Sequence, residues 1–205
     1  MSILSKLSTA QGLKDETANI ALAIQIAANE DQEAINELLE NLSNRKLQND
    51  CIKTLYEIAE RKPTLIAPYF SIFLYLLSSK NNRLQWGAMT AIYSIADQTA
   101  SQIVDSLDQL ELAATQGSVI TRDNFVKTLV KLLKHAELQE ETFHRLLKQL
   151  KQAPDNQYPM YAEEIMKELP KPFQEIFKTA LNQRLNDLPK ESQQKRITKL
   201  LKKLA

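Results

Sequence analysis

Apolar residues recur at intervals of three and four along most of the chain, the spacing that aligns one face of an α-helix. Ile52, Leu55, Ile58 and Ala59 make one such stripe, Met89, Ile92, Ile95 and Ala96 a second, and Val126, Leu129, Leu132 and Leu133 a third. One offset relates all three, because positions 52, 89 and 126 are each 37 residues apart. Residues 44–60 laid over 81–97 match identically at Asn44/Asn81, Leu47/Leu84, Gln48/Gln85, Tyr56/Tyr93, Ile58/Ile95 and Ala59/Ala96. Those are six identities in 17 positions, where average composition gives about one by chance, so the chain carries an internal repeat.

The pattern predicts helices in pairs. First helices are predicted over 35–42, 66–77, 103–114, 143–150 and 173–185, and second helices over 17–28, 47–60, 84–97, 121–134, 158–169 and 192–204. A helix pair of this size cannot bury its own apolar face, so neighbouring pairs must stack. The expected architecture is all-α: a right-handed α-solenoid of about five to six stacked helical hairpins, in one domain over 1–205, with 1–11 a flexible or capping N-terminus. Prolines fall between helices or at their starts, where the missing N–H costs little. Pro68 lies inside a helical pattern and predicts a kink or a late start there. Asp31 and Ser101 read as N-caps, and Asn81, Asn82 and Arg83 as a cap and turn or, alternatively, a recognition loop. Gly87 suits a close approach of two helices.

Composition narrows the function. Three glycines in 205 residues, against roughly 14 from average usage, leave no phosphate-cradling loop and no dinucleotide fingerprint. Lys and Arg number 26 against 25 Asp and Glu, so no net field attracts polyanions. The single Cys51 excludes an internal disulfide and fits a reducing compartment. Ile20–Ala28 is interrupted by Gln25, so it reads as neither a signal peptide nor a span; the expected setting is the cytoplasm, without membrane contact. Residues 1–42 hold two basic and seven acidic side chains, and 190–205 hold six basic and one acidic. This asymmetry fits solvated ends, or an oriented contact that is an acidic partner or weak head-to-tail self-association. A monomer or weak homo-oligomer is expected.

Helix pairs of 37 residues resemble HEAT repeats, which are related to the armadillo type. Residues 50–61 (Asp50, Cys51 and Ile52 through Ala59, Glu60 and Arg61), Leu65–Tyr69, Ser79–Met89 and Gly117–Asn124 are similar to a bacterial HEAT-repeat family of uncharacterised function. The likeness covers about residues 12–134. It implies a HEAT/armadillo-like superhelix and, by analogy of fold, a binding surface.

A helical wheel locates that surface. In the helix that begins at Leu84, Trp86 lies about 140° from the centre of the apolar stripe, with Thr90 and Ser94 on the same side. Shifts of 37 place Asn49 and Asp123 level with Trp86, Lys53 and Lys127 level with Thr90, and Glu57 and Lys131 level with Ser94, while Tyr56 and Tyr93 flank the face. Asn49, Lys53, Tyr56, Trp86, Thr90, Tyr93, Asp123 and Lys127 are therefore the candidate partner-binding residues, for a protein or peptide held in a concave groove. Trp86 at this position suits packing against the next repeat as well.

Catalytic motifs are missing. His135 and His144 lie on separate elements, no cysteine–histidine spacing fits zinc, and neither a Gly-x-Ser-x-Gly elbow nor a His-Glu-x-x-His run occurs. Cys51 aligns with Ala88 on the core side, and Glu140–Glu141 and Glu163–Glu164 read as surface pairs at helix starts. No catalytic residue, metal or cofactor is expected, and the chain reads as non-enzymatic. The alternative is a nucleic-acid-binding, HEAT-like DNA glycosylase acting on alkylated bases, suggested by Trp86 and Asp123 in one row and opposed by the near-zero charge and the lone tryptophan.

Overall fold

The predicted apolar stripes lie on helices, with Ile95, Ala96 and Leu133 in the turns just after them, in the structure, a computed structural model that describes residues 2–204. The helices are α1 (Thr17–Asn29), α2 (Gln32–Glu40), α3 (Gln48–Arg61), α4 (Pro63–Ile66), α5 (Phe70–Leu76), α6 (Asn82–Ser94), α7 (Ala100–Asp105), α8 (Leu107–Gln116), α9 (Val119–Leu132), α10 (Gln139–Lys151), α11 (Tyr158–Lys167), α12 (Gln174–Leu185) and α13 (Glu191–Lys203). No strand occurs among the described residues, and the protein is all-α. No described helix is long and apolar enough to cross a membrane. The chain forms two compact units, one up to Phe125 and one from Val126, so that the boundary falls within α9.

In the first unit α3 packs between α1 and α6, with α2 and α4 also against α3 and α5 against α6. Repeated positions are buried alike: Ile52, Leu55 and Ile58 on α3 and Met89 and Ile92 on α6 are all fully covered, as is Ile95 at the C-cap of α6. Asp31 caps α2 by accepting from the Ala34 N–H at 3.0 Å, and Asn81 caps α6 by accepting from the Arg83 N–H at 2.9 Å. Pro63 occupies the first turn of α4. At Pro68 the chain bends through a 3-10 turn, Ala67–Tyr69, before α5 begins.

Three expectations are corrected. Ser101 is not an N-cap; α7 starts at Ala100 with Thr99 before it, and the Thr99 hydroxyl donates back to the Ile95 carbonyl at 3.0 Å. The helix predicted over 103–114 is broken at Ser106 into α7 and α8, with neither Pro nor Gly at the break. Glu163 and Glu164 sit in the second half of α11, because that helix starts at Tyr158.

The N-terminal residues are packed down. Leu7 is fully buried. The Ser8 N–H donates to Asn19 Oδ1 at 2.9 Å, Thr9 N–H to Asp50 Oδ2 at 2.7 Å and Ile3 N–H to Glu37 Oε2 at 3.0 Å.

In the second unit α11 and α12 pack on α13, and α10 on α11 and α12. The Phe143 and Phe173 rings stack with centroids 4.4 Å apart. Glu163 on α11 and Arg196 on α13 form a two-pronged ion pair at 2.6–2.7 Å. Arg184 lies over the Tyr158 ring, donates to the Leu150 and Lys151 carbonyls that end α10, and pairs with Asp155. It thereby satisfies carbonyls that a helix end leaves open.

Gly87 sets the spacing of α3 and α6. A Cβ there would stand 2.6 Å from Ile52 Cγ1, and a β-branched side chain has little freedom to move aside. Gly87→Ala is expected to destabilise by about 1–3 kcal/mol, although Ala is the better helix former. In an Ile52→Ala background the same change should be neutral or stabilising. Additive effects across this double-mutant cycle, read by urea unfolding, would remove the close approach as the explanation.

A candidate interaction face on α3 and α6

Five charged side chains alternate in sign across α1, α3 and α6. Arg61 pairs with Glu57 one turn earlier on α3. The other oxygen of Glu57 lies 2.5 Å from Lys53 Nζ. Lys53 also reaches Glu16 Oε2 at 3.3 Å. Arg83 on α6 pairs with the second oxygen of Glu16. Two aromatic rings accompany the chain of charges. Lys53 Nζ lies 4.7 Å from the Tyr56 ring centre and the Arg83 guanidinium 4.4 Å from that of Trp86, both within cation–π range. The two rings are tilted at 48° with centroids 5.7 Å apart, an arrangement aromatic pairs favour.

Burial and bonding compete at each ionisable group. Burial pushes the Glu57 carboxyl up, but the hydrogen bonds from Lys53 and Arg61 outweigh it and hold Glu57 below its ordinary value. Burial pulls Lys53 down, and its bonds to Glu57 and Tyr56 outweigh that and hold it above the usual amine range. Burial pushes the Tyr56 hydroxyl up and draws the Arg83 guanidinium down. Cys51 is buried, and its thiol is pushed up to about 12, which makes it inert at neutral pH.

The predicted site residues fall into distinct places. Lys53, Tyr56 and Trp86 come together in the band; Lys53 and Tyr56 are buried and Trp86 is half-buried. Asn49 is exposed and accepts from Asn81 Nδ2 at 3.0 Å, tying the turn before α6 to α3. Thr90 is buried; its hydroxyl donates to the Trp86 carbonyl and accepts from Asn124 Nδ2, each at 2.8 Å. Ser94 likewise turns back to the Thr90 carbonyl. Tyr93 and Asp123 are half-buried, and Lys127 is half-buried beyond Phe125, in the second unit. The polar side of α6 is thus more covered than the wheel predicts: Asn124 of α9 lies on Thr90, and the Thr90 and Ser94 hydroxyls are satisfied within their own helix.

The wheel misses Glu16, Arg61 and Arg83. Two of them carry a signal: Lys53, Glu57 and Arg61 are four apart in series, and Arg83 precedes Trp86 by three, both spacings that bring side chains together on a helix. Glu16 carries none. No cluster of three metal-ligating side chains occurs among the described residues.

No protein-family model matches the chain, and no curated protein matches it. Solved structures do. A crystal structure of an engineered protein from the Northeast Structural Genomics Consortium is 18% identical, with a TM-score of 0.64 over 99% of this chain and 95% of that one. A second engineered protein from the same consortium is 18% identical, with a TM-score of 0.62 over 100% and 99%. At this identity the likeness shows the fold alone.

The paired shifts at Glu57 and Lys53 fix a pH dependence. A carboxylate with a depressed folded pKa contributes stability that is present above its unfolded value, about 4.3, and lost as pH falls through the folded one. The raised Lys53 contributes below about 10.4 and loses that contribution as pH rises through its folded value. Stability in urea should be level between about pH 6 and 9 and decline on both sides. Glu57→Gln should lower the plateau by roughly 2 kcal/mol, since Lys53 keeps Glu16 as its one carboxylate, and should soften the acid decline. An acid limb identical to wild type would show that Glu57 does not drive it.

Proposed function

We propose that the chain is a non-enzymatic protein-interaction module of HEAT/armadillo-like type. In this reading it is a right-handed solenoid of about five to six helical hairpins, acting in the cytoplasm as a monomer or weak homo-oligomer. A protein or peptide lies against α3 and α6. The observation that carries this reading is Trp86. The chain's one tryptophan stands half-buried at a surface, held between Arg83 and Tyr56. Trp, Tyr and Arg are the residues that dominate interface energetics. A ring already fixed by its neighbours loses little side-chain freedom on binding. Asn49, Tyr93 and Asp123 keep some exposure and complete the face in this reading, whereas Lys53 and Thr90 act by holding it in shape.

A protein partner fits this band better than a nucleic acid does. Lys53, Arg61 and Arg83 are interleaved with Glu16 and Glu57, whereas the run of phosphates in a duplex is matched by a run of cations without carboxylates between them.

Co-purification from native lysate tests the reading. Trp86→Ala and Tyr93→Ala, both folded by circular dichroism, are each expected to reduce recovery of the bound partner by about tenfold or more. Unchanged recovery with both variants would remove the face from α3 and α6.

A further inference from the structure

Lys53 and Arg83 belong to different helices, yet their charged ends converge on one carboxylate, that of Glu16. The cations are the covered members and Glu16 the open one: its side chain is 41% exposed, against 9% for Lys53 and 27% for Arg83. Glu16 occupies the N-cap position of α1 without capping it. Asp15 instead accepts from the Thr17 N–H at 3.0 Å, so the Glu16 side chain is not needed by its own helix. Every residue from 9 to 15 ahead of it is exposed.

The receptor is also underfilled. A guanidinium holds a carboxylate best by two parallel N–H bonds. Glu16 takes only Nη2 of Arg83, because its other oxygen serves Lys53. The Arg83 Nε is buried and has no hydrogen-bond partner among the described residues. Nε is covered while Glu16 is in place, so a carboxylate from outside the chain gains this second bond once Glu16 has left and the Arg83 side chain has shifted to expose it.

We propose that Glu16 is a resident stand-in, and that the Lys53–Arg83 pair receives an aspartate or glutamate side chain of a protein partner that displaces it. The proposal rests on the reading of Trp86 as part of an interaction face and adds the chemistry of the partner. Charge complementarity decides the occupant. Once Glu16 leaves, Lys53, Arg61 and Arg83 stand against Glu57 alone, and an acidic group restores the alternation.

Trp86 is the only tryptophan and Arg83 lies over it, so intrinsic fluorescence of the full chain reports on the site directly. The probe is a Glu–Ser repeat peptide, with its Gln–Ser counterpart as control. The acidic peptide is expected to shift the fluorescence saturably at low ionic strength, less so as salt screens the charges, and the neutral one not at all. Glu16→Gln should bind the acidic peptide about fivefold more tightly, the upper range for an exposed ion pair removed as competitor. Arg83→Gln should bind about tenfold or more weakly, and Arg83→Lys should fall between because a point charge replaces the fork. Thermal melts of each variant establish that it is folded. Folded Glu16→Gln with unchanged affinity overturns the proposal, as does equal affinity in Arg83→Gln, or a duplex oligonucleotide that binds as tightly as the acidic peptide. If Trp86→Ala loses its protein partner while Glu16→Gln gains nothing, the interaction face stands and the acidic-partner assignment falls. If Trp86→Ala keeps its partner while Glu16→Gln does bind the acidic peptide more tightly, the carboxylate receptor stands and the wider face falls.

Discussion

The distance between α3 and α6 governs everything on their outer side. Gly87 leaves no Cβ where Ile52 stands, so the two backbones come closer than any side chain at that position allows. Close backbones bring Tyr56 of α3 within 5.7 Å of Trp86 of α6. They also let Arg83 and Lys53 share one carboxylate. Interiors pack at crystal density and yield little, so an extra methyl at residue 87 has to widen the gap or rotate a helix. Either change starts at Ile52 in the core stripe and is passed on to the aromatic pair that the same two helices carry. The same contact that stabilises the stack therefore shapes its surface.

The alternating charges gain from partial burial without the full cost of it. A buried ion pair often fails to recover its desolvation, and an exposed one contributes little. Lys53 and Glu57 sit near the first limit, with side chains 9% and 10% exposed, while Glu16 sits toward the second at 41%. Aromatic rings under Lys53 and Arg83 replace part of the lost hydration by cation–π contact. The shifts follow: Lys53 and Glu57 hold their charges more firmly than free side chains do. Arg83 is drawn down instead, by burial.

Helix periodicity and the 37-residue offset made the core legible from sequence. Ile52, Met89 and Val126 occupy equivalent places and are equally buried, because burial is the property a repeated apolar stripe encodes. Gly87 was legible too, since a glycine inside a strong helical pattern implies a packing reason. The break at Ser106 carried only a weak signal: Asp105 and Ser106 favour caps and turns, but neither Pro nor Gly interrupts the apolar period there. On the outer face the wheel left Thr90 and Ser94 open, although short hydroxyl side chains on helices commonly bond back to the carbonyl four residues earlier. Glu16 lay beyond reach because it comes from α1, 67 positions before Arg83, and repeat arithmetic relates only equivalent helices.

The N-terminal turn explains how so distant a residue arrives on target. Leu7 is sealed in the core, the Ser8 N–H is held by Asn19 of α1, and the Thr9 N–H by Asp50 of α3. These contacts fix where the exposed loop begins, and Asp15 with Thr17 fixes where it ends. Between two such anchors Gly12, with φ of +70°, supplies a turn that other residues adopt only under strain. The start of α1 is thereby held against α3, and the Glu16 side chain projects from a firm base. Its backbone is placed by packing and its carboxylate by two ion pairs alone. The carboxylate can therefore leave while the fold that presents Lys53 and Arg83 stays whole.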